Sequence, residues 1–427
     1  MERVGRLRLL WTAIGVVAVV AVLAFIFRQL VPDDATVLER IRAQAEARLG
    51  VEVSIGAAHL QLWPQPELVI EDAQTVQPQP IRIRRLIAHP ALLPLLHGRL
   101  DVDSMEIDGA VMPQLSLAAL RLRPPPAGAE ANAVQVAQLE FRDVVWITRF
   151  NNPLEFSGSA SFGPDWQLRA AELVRSGVRP VTRLALAPEG EDRWSVRIQV
   201  GGGTADGHVM LKRGPGGELA LNGQLVPHDV DVAAALAGFK RHSAVQGHAS
   251  GQTELAASGH NASELARSLH TRTMFSVAQA RLLHIDVDKA IRSFGKDRAG
   301  ETALQSLRGQ MDTQNSADGM VVRYTALEAK GQTFSASGAG TIANRRIDGQ
   351  LTVNLAGGLI GIPLKVTGPL AKPEVSVPAG ALAGVTAGAA IGTVLLPGIG
   401  TAIGAGVGAA VSKLFSGGDT KRPASAR

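Results

Sequence analysis

The chain has 427 residues, 46% of them apolar and only 4% aromatic, with 46 Gly, 23 Pro and no Cys. That apolar share is ample for a core, and the missing Cys excludes disulfides, Cys-ligated zinc and a thiol nucleophile. The net charge of +5 is scattered, with no Lys/Arg block interleaved with aromatics, so nucleic acid is a poor partner.

Leu9 to Phe27 carries no charge and is bracketed by Arg8 and Arg28. At ~1.5 Å per residue it spans ~28 Å, close to a bilayer core. Leu9, Leu10, Trp11, Ile14, Val17, Val20, Leu23, Phe25 and Phe27 are the expected anchor residues. Arg3, Arg6 and Arg8 precede the stretch and Asp33 and Asp34 follow it, so the positive-inside rule keeps the N-terminus cytoplasmic and exports the rest. The run is longer than a signal-peptide core, and Phe25-Ile26-Phe27-Arg28 is a poor cleavage context.

Asp33 or Asp34 can cap a helix ending at Leu49, with Gly50 free to take the left-handed position beyond it. The pattern then changes to period two. Val51, Val53 and Ile55 alternate, as do Leu60 and Leu62, then Leu68 and Ile70, as in strands with one covered face. Arg123-Pro124-Pro125-Pro126 through Asn132 reads as a linker. Strand-like runs follow at 134–141, 154–162, 168–174, 193–200, 207–212, 218–225, 251–257, 320–329, 333–342 and 347–355. Short helices interrupt them near 230–239, 263–269 and 287–294. So many strands can close into a barrel, stack as two sheets or curl around a ligand, and the pattern alone does not choose.

No charge occurs from Val375 to Ser412. Gly380, Gly384, Gly388 and Gly392 are spaced by four, and Gly400, Gly404 and Gly408 resume the spacing after Pro397-Gly398. This predicts a helical hairpin whose small-residue stripes associate with a membrane or with each other.

Catalytic grammar is thin. Ser293-Phe294-Gly295-Lys296 fits Ser-x-x-Lys without its companion motifs. Asp101/Asp103, Asp229/Asp231 and Asp286/Asp288 are Asp-x-Asp pairs with no evident third ligand. His242, His248 and His260 lack metal-binding spacing, and no phosphate loop occurs. We expect no catalytic residue, no cofactor and no metal.

Two separated stretches follow an order of motifs seen elsewhere. One runs from the anchor through Leu49-Gly50-Val51-Glu52-Val53, Pro64 and Leu68 to Ala73, then Pro94 to Leu100 and Met105 to Gly109. The other comprises Ser258 to Leu269, Ile285 to Arg292, Asp318 to Val321, Gly331 to Gly338, Ile347 to Gly349 and Val366 to Pro373. Residues 130 to 255 fall outside the match. In these stretches the chain resembles the AsmA family, which implies an inner-membrane-anchored periplasmic protein of the Gram-negative envelope, related to bridge-like lipid transporters. Its expected fold is mainly β with a few short helices: an N-terminal transmembrane helix, a long curled antiparallel sheet forming a groove, and the C-terminal Gly-rich hairpin. About 20 strands at ~4.8 Å would extend ~95 Å. Expected segments are 1–32 anchor, 33–125 N-terminal α/β part, 126–255 middle β region, 256–375 C-terminal β part, 376–416 apolar tail and 417–427 basic tail. The groove lining is expected to include Val51, Val53, Ile55, Leu60, Leu62, Leu68 and Ile70. Expected partners are the inner membrane, phospholipids and envelope proteins. A scaffold for outer-membrane protein assembly, working through sheet edges, is the alternative.

Overall fold

The computed structural model describes residues 34–61, 65–91, 101–120, 135–148, 151–163, 168–260, 262–293, 297, 299–316, 319–355, 361–370 and 373–376. The chain is mainly β with a few short helices. The expected anchor, Leu62, the proline linker and the glycine tail lie outside the described residues. Among the described residues no helix is long and apolar enough to cross a membrane.

The chain divides into two compact units. One ends at Ser243 and takes in Ala249–Leu269; the other comprises Ala244–His248 and the chain from His270 onward.

The first unit opens with α1 (Asp34–Leu49). Gly50 ends it at φ 68°, donating its N–H to Glu46 O at 2.9 Å, as a helix stop before a residue without Cβ requires. Val37 is buried, and the helix lies against β1 (Val53–Ser54) and β2 (Ala57–Gln61). The Glu46 carboxylate accepts the Val53 N–H at 3.1 Å, and His59 Nδ1 lies 2.9 Å from Asp34 Oδ2. There follow β3 (Glu67–Thr75), β4 (Arg82–Pro90), β5 (Asp101–Pro113), α2 (Gln114–Ala119), β6 (Gln135–Ile147) and β7 (Pro153–Phe162). Next come β8 (Leu168–Arg175), β9 (Thr182–Pro188), β10 (Arg193–Val200), β11 (Gly203–Arg213) and β12 (Leu219–His228). The unit closes with β13 (Val230–Asp231), α3 (Val232–Gly238), most of β14 (Val245–Gly259) and α4 (Ala262–Ser268).

Neighbouring strands pair antiparallel with one correction to expectation: β5 and β6 run parallel, Val102 beside Val136 and Ile107 beside Phe141. A tight turn cannot join parallel strands. Of the connection between them, α2 and Leu120 are described. Ser116 is buried there with its hydroxyl donating to Gln79 O, which ties the helix to the β3–β4 turn.

The second unit holds β15 (His270–Leu282), α5 (Val287–Arg292), β16 (Thr302–Ser316), β17 (Gly319–Gly331), β18 (Phe334–Ala343), β19 (Arg346–Leu355), β20 (Ile362–Pro369) and β21 (Glu374–Ser376). From β15 to β21 each strand pairs antiparallel with the next.

Alternation would carry successive side chains strictly to opposite faces, yet in the first unit the apolar phase slips by one at a common line. Ile70 and Ala73, Leu86 and Ile83, Ile107 and Ala110, and Phe141 and Val144 are each three apart. Asp72 (φ 52°), Gly109 (φ 68°) and Asp143 (φ 53°) lie between the first, third and fourth of these pairs. Their flanking pairs put Asp72 opposite Arg84, Arg84 opposite Gly109 and Gly109 beside Asp143. Asp and Gly tolerate left-handed backbone best among such positions. On β3, β5 and β6 one left-handed residue accompanies the slip, and the apolar residues of all four strands stay on one face.

Candidate apolar binding face

In the first unit the cross-strand register lines apolar residues up from strand to strand. Leu60, Leu68, Ala88, Met105, Leu139 and Ala160 follow one another from β2 to β7, and Ala171, Leu186, Val196, Gly207 and Leu225 continue the row to β12. The adjacent row runs Ala58, Ile70, Leu86, Ile107, Phe141, Gly158, then Leu173, Leu184, Ile198 and Ala205. A small cluster of Ala88, Val102 and Val136 is buried, with Leu68, Leu86 and Met105 packed on it.

The second unit repeats the arrangement. Val277, Leu307, Ala329, Ala336, Val353 and Ile362 form one row, and Gly338, Leu351 and Leu364 belong to the next. Phe275 and Tyr324 meet edge to face on the same side, ring centroids 6.3 Å apart. Burial pushes the Tyr324 phenol above its ordinary value.

The opposite faces are polar. Glu71 lies by Arg85 at 3.9 Å, Arg183 pairs with Glu172 at 3.2 Å and Arg197 with Asp206 at 2.7 Å. In the second unit Arg308 pairs with Glu328. Such exposed pairs add little to stability, because water and salt screen them. Their effect is to mark one face as wetted.

What distinguishes the apolar face is its incomplete burial. Most of its residues are half-buried, and among the described large side chains only Val353 falls below 2% exposure. Among the described residues no strand pairs into a separate second sheet. Ordinary sheets bury such a face against another layer.

Of the expected lining, Leu60 and Leu68 face each other across β2–β3, Ile70 lies beside Ala58, and Val53 is buried opposite Thr75. Val51 precedes β1 and Ile55 follows it, so neither belongs to a strand. Sequence reasoning missed the rows beyond β3 as a single surface. It also missed Trp194, 6% exposed, whose indole N–H donates to Leu168 O at 3.2 Å.

Arg175 was missed as well. It ends β8 on the apolar face, between Phe156 of β7 and Thr182 of β9. The residue is 6% exposed, with Cζ 5.5 Å from the Phe156 ring centroid. Nη1 donates to Glu155 O at 2.6 Å and Ser176 O at 3.0 Å, while buried Nε has no partner. Burial lowers its pKa from the usual guanidinium value, against the opposing pull of the Glu155 charge.

Several of the motifs weighed for chemistry sit at helix ends. Asp231 caps α3, accepting the Ala234 N–H at 2.9 Å, and Asp286 accepts the Lys289 N–H of α5 at 3.0 Å. Asp288 accepts from Thr333 Oγ1 at 3.2 Å. Asp103 is exposed on β5. Ser293 Oγ donates to Asp297 O at 2.7 Å as α5 ends, and Lys296 lies outside the described residues. His260 lies 3.3 Å from Glu264. Among the described residues no three His, Asp or Glu side chains cluster as a metal site would.

No protein-family model, curated protein or solved structure matches this chain.

Proposed function

We propose that this chain is an AsmA-like protein, anchored in the inner membrane and lying in the periplasm, whose apolar sheet face holds and transfers phospholipid acyl chains. No reaction is catalysed. The inner membrane supplies the lipid, and envelope proteins receive or regulate it.

The observation that carries the reading is the register-matched apolar lane from β2 to β12, most of whose residues are half-buried. Burying apolar surface is worth ~25 cal/mol per Å², so a lane left partly open is a standing site for hydrocarbon. Acyl chains carry no directional groups and need only a continuous apolar surface with a wetted outer face. Alternating strands supply both. The register shift of β6 against β7 around Asp143 favours local bending, because a bulge bends a strand and increases its twist.

The test is transfer of a fluorescent phospholipid between donor and acceptor vesicles by the full chain. Ile107→Asp places a charge in the lane and is expected to abolish transfer. Ser159→Asp, on the exposed face of β7, is expected to leave it unchanged. Equal transfer by the two variants, with unaltered far-ultraviolet circular dichroism, contradicts the reading.

A further inference from the structure

Arg is almost never fully buried without an ionic partner, because a desolvated charge needs a counter-charge. Arg175 departs from that rule. At 6% exposure its guanidinium makes only two hydrogen bonds, both from Nη1 to backbone carbonyls, and no carboxylate of the described residues pairs with it. Glu155, the acid that acts on it, is exposed on the other face of β7, whereas Phe156 shares the face with Arg175.

Two residues back along β8 on the same face is Leu173, in register with Leu184 and through it with Ile198. Along β8, therefore, the apolar face stops at a cation on the flank of the lane. The 178–182 segment and α3 wall that end: a Cβ added at Gly238 would come 3.2 Å from Val178 and 3.5 Å from Thr182 Oγ1.

Resting on the lipid reading above, we propose that Arg175 binds the anionic end of an amphiphile whose hydrocarbon lies over Leu173, Leu184 and Ile198. Nη1 is committed to the protein, so the anion, a carboxylate or phosphate, is taken by the remaining donors of the fork, of which Nε has no partner. Guanidinium suits either, being planar and always charged. The Phe156 ring fixes its plane, and the low-polarity surroundings strengthen the pairing.

The probes are cis-parinaric acid and its methyl ester, which differ only in the charge, titrated by fluorescence onto the full chain in mild detergent. The wild type is expected to bind the acid about tenfold tighter than the ester, equivalent to ~1.4 kcal/mol. Arg175→Met is expected to erase that preference while ester binding persists, and Arg175→Lys to restore part of it. Ester binding that persists in Arg175→Met shows that the lane is still formed. Palmitate displacing the bound acid assigns a carboxylate; lysophosphatidic acid displacing it assigns a phosphate. An acid-to-ester ratio unchanged by Arg175→Met overturns the anion site and leaves the lipid reading standing. Neither probe binding to wild type overturns both.

Discussion

Gly109 lies beside Asp143 on the neighbouring parallel strand, and both hold left-handed backbone, at φ 68° and 53°. Around them the apolar alternation of β5 and β6 shifts by one, together with that of β3 at Asp72. A Cβ added at Gly109 would meet Arg84 Cζ at 2.8 Å. Gly109→Ala should therefore lower the unfolding free energy by about 1–3 kcal/mol, the usual cost of a residue held in a sparsely populated conformation. Gly216, where an added Cβ meets nothing within 4 Å, is the control, and its Ala variant should stay within about 0.5 kcal/mol of wild type. Urea melts of the full chain compare the two, and equal midpoints would remove the shared line of strain.

Trp194 is among the largest side chains buried on the apolar face, and its indole N–H is bonded to Leu168 O. Trp194→Ala should cost about 3–5 kcal/mol, as large-to-small changes at packed aromatic sites do. Trp194→Phe keeps most of the volume and should cost less. Thermal unfolding orders the three proteins, and an Ala variant as stable as the Phe variant would mean the site is not packed.

The cap of α3 rests on the Asp231 carboxylate. Asp231→Ala should destabilise by about 1 kcal/mol, and Asp231→Asn by much less, since Asn caps equally well. Hydrogen exchange at the Ala234 amide reads the loss locally. Unchanged protection in the Ala variant would contradict the cap.

Tyr324 is the single Tyr of the chain, so its ionisation can be followed at 295 nm without ambiguity. Burial raises its folded-state pKa, which means the neutral phenol is favoured in the folded form. Its contribution to stability is fully present below the unfolded phenol value, ~10, and is lost as pH rises through the higher folded value. The absorbance midpoint should lie above that of free tyrosine, and Tyr324→Phe should resist alkaline unfolding better than wild type. A midpoint at or below the free value would contradict its burial.

Much of the fold was legible because it follows simple periodicity. The helix ended by Gly50, the strand at Arg193–Val200 and the three short helices after residue 230 stand where the pattern places them. β9, β15 and β16 were not legible. β15 and β16 carry Thr and Gln through their length, and left-handed Gln279 with register shifts near Ser306 and Gln310 breaks their alternation. The parallel β5–β6 pair was hidden too, since its crossover depends on tertiary pairing rather than local pattern. Of the apolar face, Leu60, Leu68 and Ile70 could be read from alternation. Its continuity could not, because register between strands far apart in sequence leaves no local signal. Arg175 was invisible for a different reason: a charged residue ending a strand reads as solvated, and only the neighbouring Phe156 and Thr182 make it buried.

The most direct test of the lipid reading is native mass spectrometry, with lipid extraction, on the full chain solubilised in mild detergent. The account predicts diacyl phospholipid in stoichiometric amounts, retained after exchange into a second detergent and lost in Ile107→Asp. A folded wild-type chain free of lipid after gentle extraction, or equal lipid in the variant, would contradict it.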